Sequence, residues 1–216
     1  MTEITLSRAH FPISTLGPGR RLAFWFQGCS IRCPGCVSAD TWALGTSRRL
    51  VRDLLIHVGS ALDEADGITV TGGEPFDQPE ALEELLRSIR IRTEADILVY
   101  SGYPLEKLGP ALRTMDGLID CIISDPFERE TPQTLALRGS DNQRIQFLTS
   151  LGRERFAAFE RRLTPGDRAL DVMFDDESGE VFLAGIPSRG DMRKLAAVLA
   201  KGGHLASTSE DKRSHQ

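Results

Sequence analysis

Three of the four cysteines, Cys29, Cys33 and Cys36, fall within eight residues, spaced C-x3-C-x2-C. Thiolates crowded this closely point to metal or redox chemistry in a reducing compartment more than to a disulfide framework. A closed zinc site needs four ligands. A fourth would have to come from Cys121 or from His10, His57, His204 or His215, none of which stands at ligand spacing. Ferredoxins supply four thiolates per cluster. Three thiolates on one short loop suit a four-iron cluster whose last iron stays open to a non-protein ligand. Two other readings stay open on these residues. Cys33-Pro-Gly-Cys36 is a C-x-x-C after an apolar run, the pattern of a redox dithiol, although Cys29 is then idle. A zinc knuckle is the other.

A second constellation is Thr71-Gly72-Gly73-Glu74-Pro75, after the β-branched run Ile68–Thr71. By itself it is a strand-to-helix turn. Chemically, two glycines let a ligand come close to the backbone. A carboxylate beside them can accept hydrogen bonds from an ammonium group.

These two loops need elements to hold them. Leu22–Gln27 is an apolar run that reads as a buried strand leading into the cysteines. Leu50, Val51, Leu54, Leu55, Val58 and Leu62 predict a helix over 47–62, capped by Thr46 or Ser47. Leu82, Leu85, Leu86 and Ile89 predict another over 78–91, with Asp77 and Glu80 as a capping box. Strands are expected at 96–100, 118–123 and 144–148. Helices are expected around Leu105–Leu112 and Phe156–Leu163. Apolar strands alternating with helices argue a parallel sheet covered by helices, either open or curled into a full or partial barrel. In such folds ligands sit at the carboxyl ends of the strands. The cysteine loop and the Gly-Gly-Glu turn therefore belong on one face.

After residue 165 the pattern changes. Leu170, Val172 and Phe174, then Val181 and Leu183, alternate as in an antiparallel hairpin around the polar stretch 175–179. A helix over 190–200 follows. The expected organisation is a core of residues 1–165, a hairpin–helix extension over 166–202 and a disordered tail over 203–216. The composition, 40% hydrophobic and 26% charged, excludes disorder of the whole chain. The net charge of -5 leaves no global field for nucleic acid or an anionic membrane, so neither is expected as a partner. Apolar runs are too short to span a bilayer, and the first residues lack the pattern of a secretory signal. A cytoplasmic location is expected.

The cysteine loop after the first strand, with Gly72-Gly73-Glu74-Pro75 after the second, resembles the radical S-adenosylmethionine (SAM) superfamily. Further pieces resemble, within it, the family of activating proteins of anaerobic ribonucleoside-triphosphate reductases. They are Gly17-Pro18-Gly19, Phe26-Gln27-Gly28-Cys29, Gly35, Ser101-Gly102-Tyr103, Asp125-Pro126-Phe127 and the run Leu137–Arg144. Gly35 stands where most of the superfamily has an aromatic residue, a feature shared with the reductase activators. Leu16 stands where activases often have an acid. The similarity covers roughly residues 15–150.

The resemblance implies an α/β fold, a partial (β/α) barrel with parallel strands inside and helices outside; the small C-terminal β-hairpin and helix go beyond the compact reductase activator. It implies that Cys29, Cys33 and Cys36 hold a [4Fe-4S] cluster whose open iron chelates SAM. Gly72, Gly73 and Glu74 would hold the methionine amino group, Ser101 and Gly102 would line the ribose side, and Asn142 would line the pocket. An external one-electron donor would drive cleavage of SAM to a 5′-deoxyadenosyl radical. That radical would abstract hydrogen from a glycine of a protein partner, a glycyl-radical enzyme. A peptide or small-molecule substrate is the alternative within the superfamily. A cluster or dithiol redox module without SAM is the alternative outside it.

Other residues have plainer readings. Arg20 and Arg21 either meet a carboxylate of ligand or partner or form a solvated pair. Trp25 and Phe26 belong in the core, Trp42 packs near the cysteines, and Cys121 is expected to be a buried small hydrophobe. His57 belongs on a helix surface. Asp175, Asp176 and Glu177 read as a solvated hairpin tip, without the spacing of a calcium loop.

Overall fold

The computed structural model describes residues 2–174 and 181–204. Its elements run β1 (Glu3–Ile4), β2 (Leu6–Ile13), β3 (Arg21–Phe26), β4 (Arg49–Leu50), α1 (Val51–His57), α2 (Gly59–Glu64), β5 (Gly67–Gly72) and α3 (Pro79–Arg92). They continue β6 (Asp96–Tyr100), α4 (Leu105–Thr114), β7 (Cys121–Ser124), β8 (Arg144–Phe147), α5 (Ser150–Phe156), β9 (Leu170–Phe174), β10 (Val181–Gly185) and α6 (Asp191–Lys201).

Six strands form one mixed sheet in the order β2-β3-β5-β6-β7-β8. The central four are parallel, and their order follows the chain. Each crossover therefore steps the same way and drops its helix on the same face. On that face Leu22, Phe24, Ile68, Val70, Ile97 and Val99 meet the apolar stripes of α1 to α4. Alternate residues point to the other face. There Ala23 and Trp25 pack against Met173 and Ala184 of β9 and β10, while Leu98, Cys121 and Ile123 pack against Phe156 of α5. Burial on both faces explains the continuous apolar runs of these strands.

Three expectations change. The sheet is mixed rather than parallel throughout, because β8 runs antiparallel to β7. The segment between them stays at the carboxyl end of the sheet, so the chain must re-enter from there, and Ser124 pairs with Arg144. At the opposite edge, β2 is an antiparallel strand that the sequence does not announce. The helix expected over 47–62 is two helices. It begins at Val51 after Leu50, without a side-chain cap from Thr46 or Ser47.

The hairpin β9–β10 and α6 form as the alternation and periodicity indicate. The acidic stretch 175–177 and the tail from 205 onward lie outside the described residues.

Candidate active site

The carboxyl ends of β3, β5 and β6 bring the two sequence constellations to one cavity of about 520 Å³. Cys29, Cys33 and Cys36 line it, as do Gly72, Gly73 and Glu74 and the pair Ser101 and Gly102. Among the described residues, no group of three His, Cys, Asp or Glu converges as a single-ion site. A four-iron cluster takes one thiolate on each of three irons and needs no such convergence.

The cysteine loop is held by backbone contacts with the diglycine turn. Gly73 N–H donates to the Phe26 carbonyl (2.8 Å) and Glu74 N–H to the Gly28 carbonyl (2.9 Å). A Cβ at Gly73 would stand 2.0 Å from the Gly28 oxygen, and one at Gly72, where φ is +104°, would stand 2.4 Å from Phe26 N. Both glycines are required by loop-on-loop packing as well as by their place on the cavity wall.

A polar network ties the same loop to two other elements. The Asp77 carboxylate accepts from Ser30 N–H (2.7 Å), the Ser30 hydroxyl (3.0 Å) and the Tyr103 hydroxyl (2.6 Å). Asp77 therefore does not cap α3, whose N-cap is Gln78 without a side-chain bond.

Hydrogen bonding from the backbone of Ile31 and Arg32 works to lower the Cys29 thiol, from the backbone of Phe127 that of Cys33, and from the backbone of Ser38 and the Trp42 side chain that of Cys36. Burial nevertheless raises all three thiols, that of Cys36 to about 12. The ligand-free thiols are therefore protonated at neutral pH, and metal binding must release those protons. Half-buried free thiols with donor N–H groups around them fit an iron–sulfur cluster. Cys121 does not belong to this set. It is buried among Leu98, Ile123 and Phe156 on the inner face of the sheet.

Glu74 is 1% exposed. One carboxylate oxygen accepts from the Ser101 hydroxyl (2.8 Å) and Phe76 N–H (3.0 Å), the other from Gly102 N–H (2.8 Å). Burial pushes the Glu74 carboxyl up to about 7 against those three donors. Ser101 and Gly102 thus meet Glu74 directly, and all three face the cavity.

Asn142 is placed differently. Its amide donates to the Pro126 carbonyl (2.8 Å), and it is not among the cavity-lining residues, whereas Gly139 and Gln143 are. Arg21 is also elsewhere. It is fully buried at the opposite end of β3, paired with Asp96 (2.7 Å), and it is neither solvated nor near the cysteines. Arg20 is exposed beside Glu64. Phe127, from the loop after β7, was not expected beside the cysteines, yet it and Trp42 line the same cavity. The C-terminal extension was not expected in the site at all, yet Leu183, Gly185, Pro187 and Arg189 line one side of the cavity.

Comparison with known proteins matches residues 15–146 to the family described as 4Fe-4S single cluster domain. The anaerobic ribonucleoside-triphosphate reductase-activating protein of Escherichia coli K12 is 29% identical over 149 residues, covering 64% of this chain and 96% of that protein. The protein of that name from Enterobacteria phage T4 is 31% identical over 134 residues, covering 60% and 85%. A pyruvate formate-lyase-activating enzyme of Clostridium pasteurianum is 36% identical over 95 residues, 40% of each chain. Among the described residues, no helix is long and apolar enough to cross a membrane.

Proposed function

The chain belongs to the 4Fe-4S single cluster domain family, and from that premise we propose that it is a radical SAM enzyme, an activase that takes a hydrogen atom from a glycine of a protein partner. The observation that carries this is the meeting of three cysteine thiols and a buried carboxylate in one cavity. Cys29, Cys33 and Cys36 would hold a [4Fe-4S] cluster. When bound, the cluster and SAM would supply one-electron reductive cleavage of the S–C5′ bond.

The chain's own residues orient and protect this chemistry. Ser101 and Gly102 N–H fix the Glu74 carboxylate, and an ammonium group of SAM would supply the cation that it lacks among the described residues. Gly72 and Gly73 keep that carboxylate in register with the cysteine loop. The N–H groups at the sulfurs would stabilise the added electron on reduction. Trp25, Ile31 and Phe127 give the cavity apolar walls that limit water. The electron would come from an external one-electron donor. In this reading the sheet is a partial barrel, residues 1–165 are the core and 166–202 the extension of one cytoplasmic domain.

A peptide or small-molecule substrate is the second reading. It is favoured by the wall that the extension adds to the cavity, since that wall lies outside the family match.

The test is anaerobic reconstitution with iron and sulfide, followed by electron paramagnetic resonance of the reduced protein with and without SAM. Wild type and Cys121→Ala should load four irons and show a spectrum that SAM changes. Cys29→Ala should not load. Full loading in Cys29→Ala, or a wild-type spectrum indifferent to SAM, contradicts the assignment. A labelled glycyl-radical protein that gains no radical, beside a peptide that is modified, selects the second reading.

A further inference from the structure

The charged side chains that line the cavity are Arg8, Arg129, Arg189 and Arg193, against Glu74 and Glu130. Glu74 sits with the cysteines, so the rest of the wall is basic, in a chain whose net charge is -5. Three of those arginines, Arg8, Arg189 and Arg193, lie outside residues 15–146, the part matched to the family. The two ends of this chain therefore add a cationic side to a shared cluster domain. That side is fixed to the core. The Asp171 carboxylate accepts from the N–H and hydroxyl groups of both Ser14 and Thr15, at 2.8–3.0 Å. The Arg189 guanidinium donates to the carbonyls of Glu128 and Thr131.

The two ends meet at Arg8. It stands on β2 opposite Trp25 of β3. Its guanidinium carbon lies 5.2 Å from the centre of the Trp25 ring and 5.0 Å from that of Phe182, on β10. Contact with both rings fixes the guanidinium plane. Its hydrogen bonds run through a single nitrogen, Nη1, which donates to the Asp40 carboxylate (2.7 Å) and the Ser7 hydroxyl (3.0 Å). Among the described residues, Nε and Nη2 have no hydrogen-bond partner, and Nε is buried. Asp40 is 52% exposed, against 15% for the Arg8 side chain, so solvent weakens its hold on that charge.

Arg8 is thus a rigid cation on the cavity wall with its Nε–Nη2 edge unused. That is the edge a carboxylate engages with two parallel N–H···O bonds. Asp40 already takes part of the charge, which suits a singly charged carboxylate better than a phosphate dianion. SAM is common to the superfamily, whereas Arg8 and Phe182 lie outside the family match. Their ligand therefore belongs to what distinguishes this chain, its substrate.

We propose that Arg8 is a specificity-determining residue that receives a carboxylate of the substrate beside the cluster site. The pocket rests on this geometry, and its ligand being the substrate rests on the radical SAM reading. In an activase the carboxylate is an acidic side chain near the target glycine. In a small-molecule enzyme it is the substrate's own.

Calorimetric titrations of the full chain, both metal-free and anaerobically reconstituted with SAM, test the proposal. The probes are glutarate and neutral glutaramide, inorganic phosphate, and a blocked pentapeptide with Glu beside a central Gly, paired with its Gln version. Wild type should bind glutarate or the Glu peptide about tenfold or more tightly than the neutral counterpart. The tighter of the two names the source. Arg8→Gln should bring the two within about threefold, with iron content and SAM affinity kept. Arg8→Lys should recover part of the preference, and Phe182→Leu, which keeps the guanidinium but removes a ring, should lose less of it. No preference in wild type overturns the proposal, as does a wild-type preference in Arg8→Gln or in both other variants. Tighter binding of phosphate than of either carboxylate also overturns it. Loss of iron in folded Arg8→Gln would make Arg8 a support of the cysteine loop, and loss of SAM affinity would give the carboxylate to SAM; each contradicts the assignment. A wild-type chain that takes up no cluster refutes the radical SAM reading instead, while the metal-free titrations still decide on Arg8.

Discussion

Asp96 and Glu74 are both buried carboxylates at strand ends, and they differ in what surrounds them. Asp96 opens β6 at the amino end of the parallel strands. It is clasped by Arg21 (2.7 Å) and Arg155 (2.9 Å), and Arg21 in turn donates to the Thr69 hydroxyl and the Pro18 and Ile68 carbonyls. Glu74 follows β5 at the carboxyl end. It has one hydroxyl and two N–H donors and, among the described residues, no cationic partner. One end of the sheet is electrostatically complete without a ligand. The other keeps a carboxyl near neutrality of charge until a cation arrives.

The largest effect should come from breaking the complete end. Arg21→Met leaves Asp96 buried with half of its partners, and should cost about 3–5 kcal/mol in urea unfolding. Any Arg21→Met protein that stays folded should bind SAM normally. Loss of SAM binding in folded protein would mean that the two ends are coupled.

Glu74 sharpens the contrast from the other side. Its carboxyl sits near 7 in the folded chain against 4.5 ordinarily. A raised folded value means that the contribution of Glu74 to stability is full below about pH 4.5 and is lost as pH rises through about 7. Metal-free wild type should therefore lose on the order of 3 kcal/mol across that window through this group. Glu74→Gln should flatten the corresponding stretch of the melting-temperature profile. In the reconstituted protein, Glu74→Gln should weaken SAM binding by about 1.5–3 kcal/mol, roughly 10- to 100-fold, with iron content unchanged. Iron loss would instead place Glu74 in the cluster-binding structure.

The smallest expected effect is at the rim. Tyr103→Phe removes the hydroxyl that bonds both Asp77 (2.6 Å) and Ser30 (2.8 Å) in an exposed network, and should cost about 1 kcal/mol of stability. Cluster loading should be retained. A larger loss would mean that this network, rather than the diglycine turn, fixes the cysteine loop.

Much of this contrast was legible in the chain. Strands buried on both faces carry unbroken apolar runs, so β3 and β5 could be placed, and with them the loops at their carboxyl ends. Cys29, Cys33, Cys36 and Glu74 followed. Arg21 was not legible, because a pair of adjacent arginines after a glycine turn looks solvated. Only the parallel register Arg21–Gly67–Asp96 shows that one of them meets a carboxylate from a strand 75 residues on. β2 was missed because its polar and apolar residues do not alternate, its pairing with β3 being broken by register shifts. The glycines were seen, but what they face, another loop's backbone, is a tertiary fact. The same holds for the extension, whose residues have ordinary hairpin patterning and gain their place in the site only through Asp171 and Arg189.

Three thiols and one carboxyl that has no cationic partner among the described residues would serve a single ligand-bound cluster. Product analysis after anaerobic addition of dithionite and SAM to the reconstituted protein tests it most directly. Wild type should release 5′-deoxyadenosine and methionine in equal amounts, and Glu74→Gln little of either. A fully loaded wild-type cluster that releases no nucleoside would contradict it.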